Sequence, residues 1–132
     1  MESPELVIDV LIDACYTVES GDNGANMITF HGSLDHPAFK GDIMPGGVDT
    51  QRKRGDEFTL SARYIIKGKD ASGKDASIFI ENNGTAGPDG ELTTVPTVLT
   101  DCEALKYLET AELYGKIKPV GENHIQILIF KK

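Results

Sequence analysis

The sequence predicts an all-β protein: a closed or nearly closed antiparallel barrel of about eight or nine strands with one short helix. Three observations carry that expectation. Apolar and polar residues alternate with period two, as in Leu6, Ile8, Val10 and Ile12 or in Phe58, Leu60, Ala62 and Tyr64. That period puts successive side chains on opposite faces of a strand. Turn-forming clusters at residues 20–26 and 84–91 punctuate the alternation, as they do where short strands are linked by hairpins. The first and last strands are also long, and pairing them with each other would remove the exposed edges of an open sheet.

Residues 5–19 form the first expected strand, with Leu6, Ile8, Val10, Ile12 and Ala14 on one face and Asp9, Asp13 and Cys15 on the other. After a loop over 20–26, residues 27–33 alternate again, with Ile28 and Phe30 opposite Thr29 and His31. Residues 39–44 then run into Pro45-Gly46-Gly47. Two glycines after a proline reach backbone angles closed to other residues, so two strands can meet there at a sharp angle. In residues 57–67, Phe58, Leu60, Ala62, Tyr64 and Ile66 line one side, and Thr59, Ser61, Arg63, Ile65 and Lys67 the other. Residues 76–82 are the hairpin partner. Their connection holds a tandem duplication, Gly68-Lys69-Asp70-Ala71-Ser72 followed by Gly73-Lys74-Asp75-Ala76-Ser77. So short a unit cannot build a solenoid and reads as an exposed hairpin tip.

Residues 92–100 are extended, although Pro96 confines them to an edge or a bulge. Residues 101–110 make the helix, with Asp101 as N-cap and Ala104, Leu105 and Leu108 as its apolar stripe. Strands over 112–118 and 124–131 close the chain. Its 132 residues suit a single domain, 1–132.

Composition narrows the function. A formal net charge of -8 opposes binding to nucleic acid, which needs concentrated Lys and Arg, and opposes anionic membrane surfaces equally. No segment reaches the roughly 18 apolar residues of a membrane span. The start of the chain is acidic where a secretion signal would be basic, so a cytoplasmic location is expected. Cys15 and Cys102 lack CxxC spacing and read as free thiols in a reducing compartment.

The ordered set Pro45-Gly46-Gly47-x-Asp49-x-Gln51, then Ala62-Arg63-Tyr64, then Asn82-x-Gly84 with Gly87-Pro88 resembles a known family. It is the domain of unknown function 3237 family, also called uncharacterised protein family 0311. The likeness covers roughly residues 4–131. Thr50 stands where the family has Trp, and this chain contains no Trp, so the family's late Trp-Leu-Asn element has its nearest counterpart around Tyr107 and Leu108. The resemblance implies a small antiparallel barrel and carries over no ligand preference and no activity.

Asp49, Arg63 and Asn82, joined by Gln51 and His31, are the candidate site residues. Turned toward a barrel interior, they would make a charge-assisted cluster in which the Arg63 fork suits a carboxylate or enolate and Asp49 serves as a base. The alternative is an internal Asp49–Arg63 ion pair that fixes register, with Asn82 capping a turn. Tyr64 falls on the apolar face, where packing is its expected role. Pro45, Gly46, Gly47 and Gly84 are structural. His31, Asp35, His36 and His124 match no metal spacing, and residues 70–81 lack the ligand and glycine that a calcium loop requires at Lys74 and Asp75. No nucleophile elbow and no phosphate- or dinucleotide-binding motif occurs, so neither a metal nor a cofactor is expected.

Three functions remain open. One is a barrel that binds a small organic molecule, acidic if Arg63 orients it. Another is a cofactor-independent isomerase, cyclase or lyase that uses Asp49. The third is a structural module whose outer face packs against a second copy in a homo-oligomer.

Overall fold

Nine strands fill eight positions around a closed antiparallel barrel in the computed structural model, which describes residues 3–87 and 89–132. Met1, Glu2 and Pro88, which entered the reading of the N-terminus and of the Gly87-Pro88 loop, lie outside the described residues. The strands are β1 (Leu6–Ser20), β2 (Asn23–His36), β3 (Phe39–Ile43), β4 (Val48–Arg54), β5 (Glu57–Asp70), β6 (Asp75–Ala86), β7 (Leu92–Thr100), β8 (Leu113–Gly121) and β9 (His124–Lys131). A 3-10 helix, Glu103–Glu109, joins β7 to β8. No helix among the described residues is long and apolar enough to cross a membrane.

Closure comes from β1, which pairs with β2 on one side and with β9 on the other, Leu6 opposite Ile129. The first strand therefore meets the last, as expected from their lengths, and the inward faces form one continuous core. Ile8, Ile66, Ile78, Ile80 and Ile129 are wholly buried in it. β1 and β2 run almost continuously through the region expected as a loop at 20–26. Only Gly21 and Asp22 separate them: Gly21, at φ +58, closes a tight turn, and Asn23–Asn26 pair with Thr17–Ser20.

β3 and β4 share one position. Both pair antiparallel with β2 and with β5, and the Met44–Gly47 segment between them bulges out of a single lane. Ile43 pairs with Ile66 and Val48 with Arg63, so β5 supplies only Tyr64 and Ile65 opposite the whole bulge. Gly46 has φ +103, a left-handed value that favours glycine. Gly47 is tightly packed, since a Cβ there would lie 3.1 Å from the Tyr64 Cβ and 3.2 Å from the Phe30 ring, so both would have to yield by a few tenths of an ångström. The corner thus keeps both strand partners while its backbone presses on two inward rings.

Pro96 lies in β7 of a closed barrel, where no strand is an edge. It is tolerated because β7 and β8 meet at one bridge, Thr94 to Gly115, leaving a weak seam where a missing donor costs little. The helix differs from expectation in type and in cap. Cys102 holds the N-cap position without a capping side-chain hydrogen bond, its thiol donating instead to the Ala38 carbonyl, and the Asp101 carboxylate accepts from the Ser77 N–H at 2.7 Å. Leu105 and Leu108 are nevertheless buried, as their spacing indicated. At the duplicated hairpin, Asp70 accepts from the Ser72 and Lys74 backbone N–H groups and from the Ser72 hydroxyl, closing the tight turn between β5 and β6.

Candidate functional site

The two ends of the barrel are filled differently. At the end carrying the helix, Leu6, Leu34, Phe39, Ile66, Leu105 and Leu108 occupy the interior. Toward the other end, the strands enclose a cavity of about 170 Å³. Its walls are mostly aliphatic, with Val10, Ile12, Ile28, Leu60 and Ile125 among the contributors, and its polar groups come from Asp49, Gln51, Tyr64 and Asn82.

Strand parity explains which polar groups arrive there. Asp49 and Gln51 are two apart on β4, so they share a face. Cross-strand register carries that face round the barrel: Ile28 opposite Asp49, Asp49 opposite Ala62, and Ala62 opposite Asn82. Small Ala62 thus separates the carboxyl from the amide. Asn82 lies on the same face of β6 as Ile78 and Ile80 and is 2% exposed. Next to it, Gly84 lets β6 and β7 approach closely, as a Cβ would sit 2.7 Å from the Thr93 carbonyl oxygen.

A chain of side-chain hydrogen bonds holds the carboxyl. The Thr17 hydroxyl donates to Asn26 Oδ1 at 2.7 Å, Asn26 Nδ2 donates to Gln51 Oε1 at 3.3 Å, and Gln51 Nε2 donates to Asp49 Oδ2 at 3.0 Å. Thr17, Asn26 and Gln51 occupy one cross-strand row. Their alignment depends on a register shift in β1 between Ile12 and Ala14, which brings Cys15 and Thr17 opposite Ile28 and Asn26. Because Asn26 donates to the Gln51 carbonyl, the Gln51 amide must point its N–H toward Asp49.

Asp49 Oδ1 is left buried without a partner in the protein, as are the Tyr64 hydroxyl and Asn82 Oδ1. Burial raises the Asp49 pKa above its ordinary value, and the Gln51 hydrogen bond offsets part of that rise. Burial likewise raises the pKa of Tyr64, keeping its phenol protonated. The Tyr64 ring packs edge-to-face on Phe30, centroids 5.5 Å apart at 85°, with Gly47 against both. The glycine corner therefore backs two rings of the cavity wall without lining the cavity itself. No Lys, Arg or His is among the described residues that line the cavity.

Arg63 is not there, which corrects the expectation that it shares a pocket with Asp49. It projects outward beside Ser61 and Ile65, its side chain is 64% exposed, and its Nε lies 2.7 Å from Glu81 Oε2. The internal Asp49–Arg63 ion pair is absent for the same reason. Arg63 has the opposite parity to Leu60, Ala62 and Tyr64, and burying those apolar side chains sends the guanidinium to solvent. His31 is also outside, 2.7 Å from Asp13, because Ile28 and Phe30 take the inward positions on β2. His124 contacts Asp9, and His36 Nδ1 accepts from the Ala38 N–H. The described residues contain no cluster of His, Cys, Asp or Glu fit to hold a metal ion.

Three residues of the arrangement escaped the sequence reading: Thr17, Asn26, assigned to a loop, and Tyr64, read as packing. The signal for Tyr64 was its parity with Ala62, which faces Asp49. A larger depression of about 660 Å³ on the outer face is lined by Arg52, Arg54 and Arg63 with several Thr side chains. Of the buried unpartnered side-chain atoms among the described residues it holds Ser61 Oγ alone, where the inner cavity is lined by three residues that carry one, so the smaller inner cavity is the stronger candidate.

Comparison with known proteins agrees with this architecture. The model of the DUF3237 family, described as a protein of unknown function, matches residues 4–101. The chain belongs to that family. A UPF0311 protein of Clostridium acetobutylicum is 44% identical over 54 residues, which are 40% of this chain and 32% of that relative's length. A crystal structure of a Clostridium acetobutylicum protein of unknown function superposes with a TM-score of 0.80 at 24% identity, covering 99% of this chain and 98% of the other. An enzyme from Penicillium herquei superposes with a TM-score of 0.61 at 16% identity, covering 99% of this chain and 98% of that one. At those identities the two structures share the fold with this member of the family.

Proposed function

We propose that the barrel binds a small, neutral, mainly apolar molecule carrying a hydroxyl or carbonyl oxygen. The observation that supports this most is the set of unpartnered buried groups, Asp49 Oδ1, Asn82 Oδ1 and the Tyr64 hydroxyl, in residues that line one aliphatic cavity. An unmade hydrogen bond at such a group costs about 1–3 kcal/mol, and buried polar groups ordinarily have a partner. The cavity's size matches that of an apolar cavity able to hold a benzene-sized guest, for which roughly 150 Å³ suffices. With Arg63 outside, a bound carboxylate would face Asp49 without a cation to balance either charge, so an acidic ligand is disfavoured.

The Penicillium herquei barrel, described as an enzyme, shares the fold and makes chemistry inside such an interior a natural second reading. Asp49, with one oxygen held and the other unpartnered, is the group that favours it. A purely structural role would instead use the outer row Ile65, Phe79 and Leu99, which are cross-strand neighbours.

A thermal-shift series tests the binding reading, because a ligand that binds only the folded state raises the melting temperature. Phenol, cyclohexanol and cyclohexanone should raise it, and benzoate and cyclohexanecarboxylate should not. Stabilisation by the carboxylates alone would overturn the neutral-ligand reading.

A further inference from the structure

We propose that Asp49 is a proton-transfer base acting on a small cyclic ketone, with the Tyr64 hydroxyl donating a hydrogen bond to the ketone oxygen. This rests on reading the cavity as a ligand site and adds a reaction to it. A base in an enclosed site needs a fixed orientation, an unpartnered oxygen facing the reacting carbon, and no cation to quench it. Gln51, Asn26 and Thr17 give Asp49 the first by anchoring Oδ2. Oδ1 is unpartnered, and no cationic side chain is among the described residues of the cavity wall. Burial shifts the carboxyl upward, in the direction that strengthens it as a base.

Enolisation also needs a donor where negative charge develops. Tyr64 supplies one: it is buried, its hydroxyl has no partner, and its ring is braced by Phe30 and Gly47. A donor already positioned in a buried site needs little reorganisation as charge builds on the oxygen. In the proposed step, Asp49 Oδ1 takes a proton from a carbon adjacent to the carbonyl. The C–H electron pair becomes the new C=C bond, and the carbonyl π pair moves onto the oxygen, which accepts the Tyr64 hydrogen bond. Asp49 then returns the proton to the same carbon, giving exchange, or to the far end of a conjugated dienolate, moving the double bond. No oxidant, reductant or second substrate is consumed.

The test uses 3-cyclohexen-1-one, whose isomerisation to 2-cyclohexen-1-one is followed by ultraviolet absorbance, together with deuterium uptake by cyclohexanone in heavy water. Thermal shift with the same two ketones measures binding independently. The wild-type protein should accelerate both reactions, and Asp49→Asn should reduce the rate by about a hundredfold or more, the scale of general acid–base catalysis, while the ketones still raise its melting temperature. Tyr64→Phe should lower the rate less. Gln51 is a positioning residue. Because its hydrogen bond lowers the Asp49 pKa, Gln51→Leu should move the pH midpoint of the rate upward, which a merely structural role would not do. Arg63→Ala should leave the rate unchanged. Should Asp49→Asn not fold, the wild-type pH profile governed by one carboxyl, and its displacement in Gln51→Leu, still decide. Ketones that stabilise the wild-type protein without reacting would overturn the base proposal alone. Ketones that neither stabilise nor react would overturn the ligand-site reading with it.

Discussion

The helix-covered end of the barrel and its cavity-bearing end are built from the same strands, yet one is solid and the other hollow. At the first, Phe39, Ile66 and Ile78 meet Leu105 and Leu108 from the helix, and each is buried to within 1% of its surface. At the second, Ala62 stands between Asp49 and Asn82, and a few polar groups interrupt a mostly aliphatic wall. The tube is wide enough to need filling along its whole length. Large apolar residues and a capping helix fill it at one end. A short side chain flanked by polar ones leaves space at the other. Packing is therefore concentrated at one end of the fold, and the proposed binding falls at the other.

The comparison breaks most visibly at the solid end. Leu105→Ala should destabilise the protein by about 2–5 kcal/mol through lost burial and the void left behind, measured by denaturant unfolding. Leu60→Ala, which only enlarges an existing cavity, should cost less, and equal losses at the two positions would erase the distinction. At the hollow end, Ala62→Leu should fill the cavity, abolish ligand-induced stabilisation, and leave stability equal or raised by about 0.5–2 kcal/mol, as cavity filling commonly does.

Asp49 sharpens the contrast through pH. Its folded pKa lies above the unfolded value, so the folded protein keeps a proton that the unfolded chain has already released. Stability from this group is then highest below the ordinary carboxylate range, near about pH 4, and falls as pH rises through the folded pKa. Asp49→Asn should accordingly melt higher than wild type at neutral pH, and the difference should close toward about pH 4. A variant that melts lower at neutral pH would mean that the charged carboxylate is stabilising. The smallest effect belongs to the outside: Arg63→Leu removes one exposed ion pair with Glu81 and should change stability by about 1 kcal/mol or less, with ligand-induced stabilisation unaltered.

Much of the architecture was legible because alternation survives translation into three dimensions. The face Leu60, Ala62 and Tyr64 in β5, the face Ile78 and Ile80 in β6, and the pairing of first strand with last all follow from period-two patterning and from the need to hide edges. The site was legible only by halves. Asp49, Gln51 and Asn82 line one cavity, while Arg63 and His31 face solvent, as the parity of β5 and β2 requires. Asn26 and Thr17 could not be read as a relay, because the register shift in β1 that aligns them has no mark in residue composition. The reading of Asp101 as a cap failed for a related reason, since the carboxylate found the Ser77 N–H on a different strand.

What the chain decides alone is which side chains share a face, for the geometry of an extended backbone leaves two directions and hydrophobic burial chooses between them. What folding adds is which faces meet and at what level. Only the closed ladder sets the Asp49 carboxyl one strand from Ala62 and two from the Asn82 amide, joins its oxygen to Thr17 through two amides, and leaves the space they border unfilled.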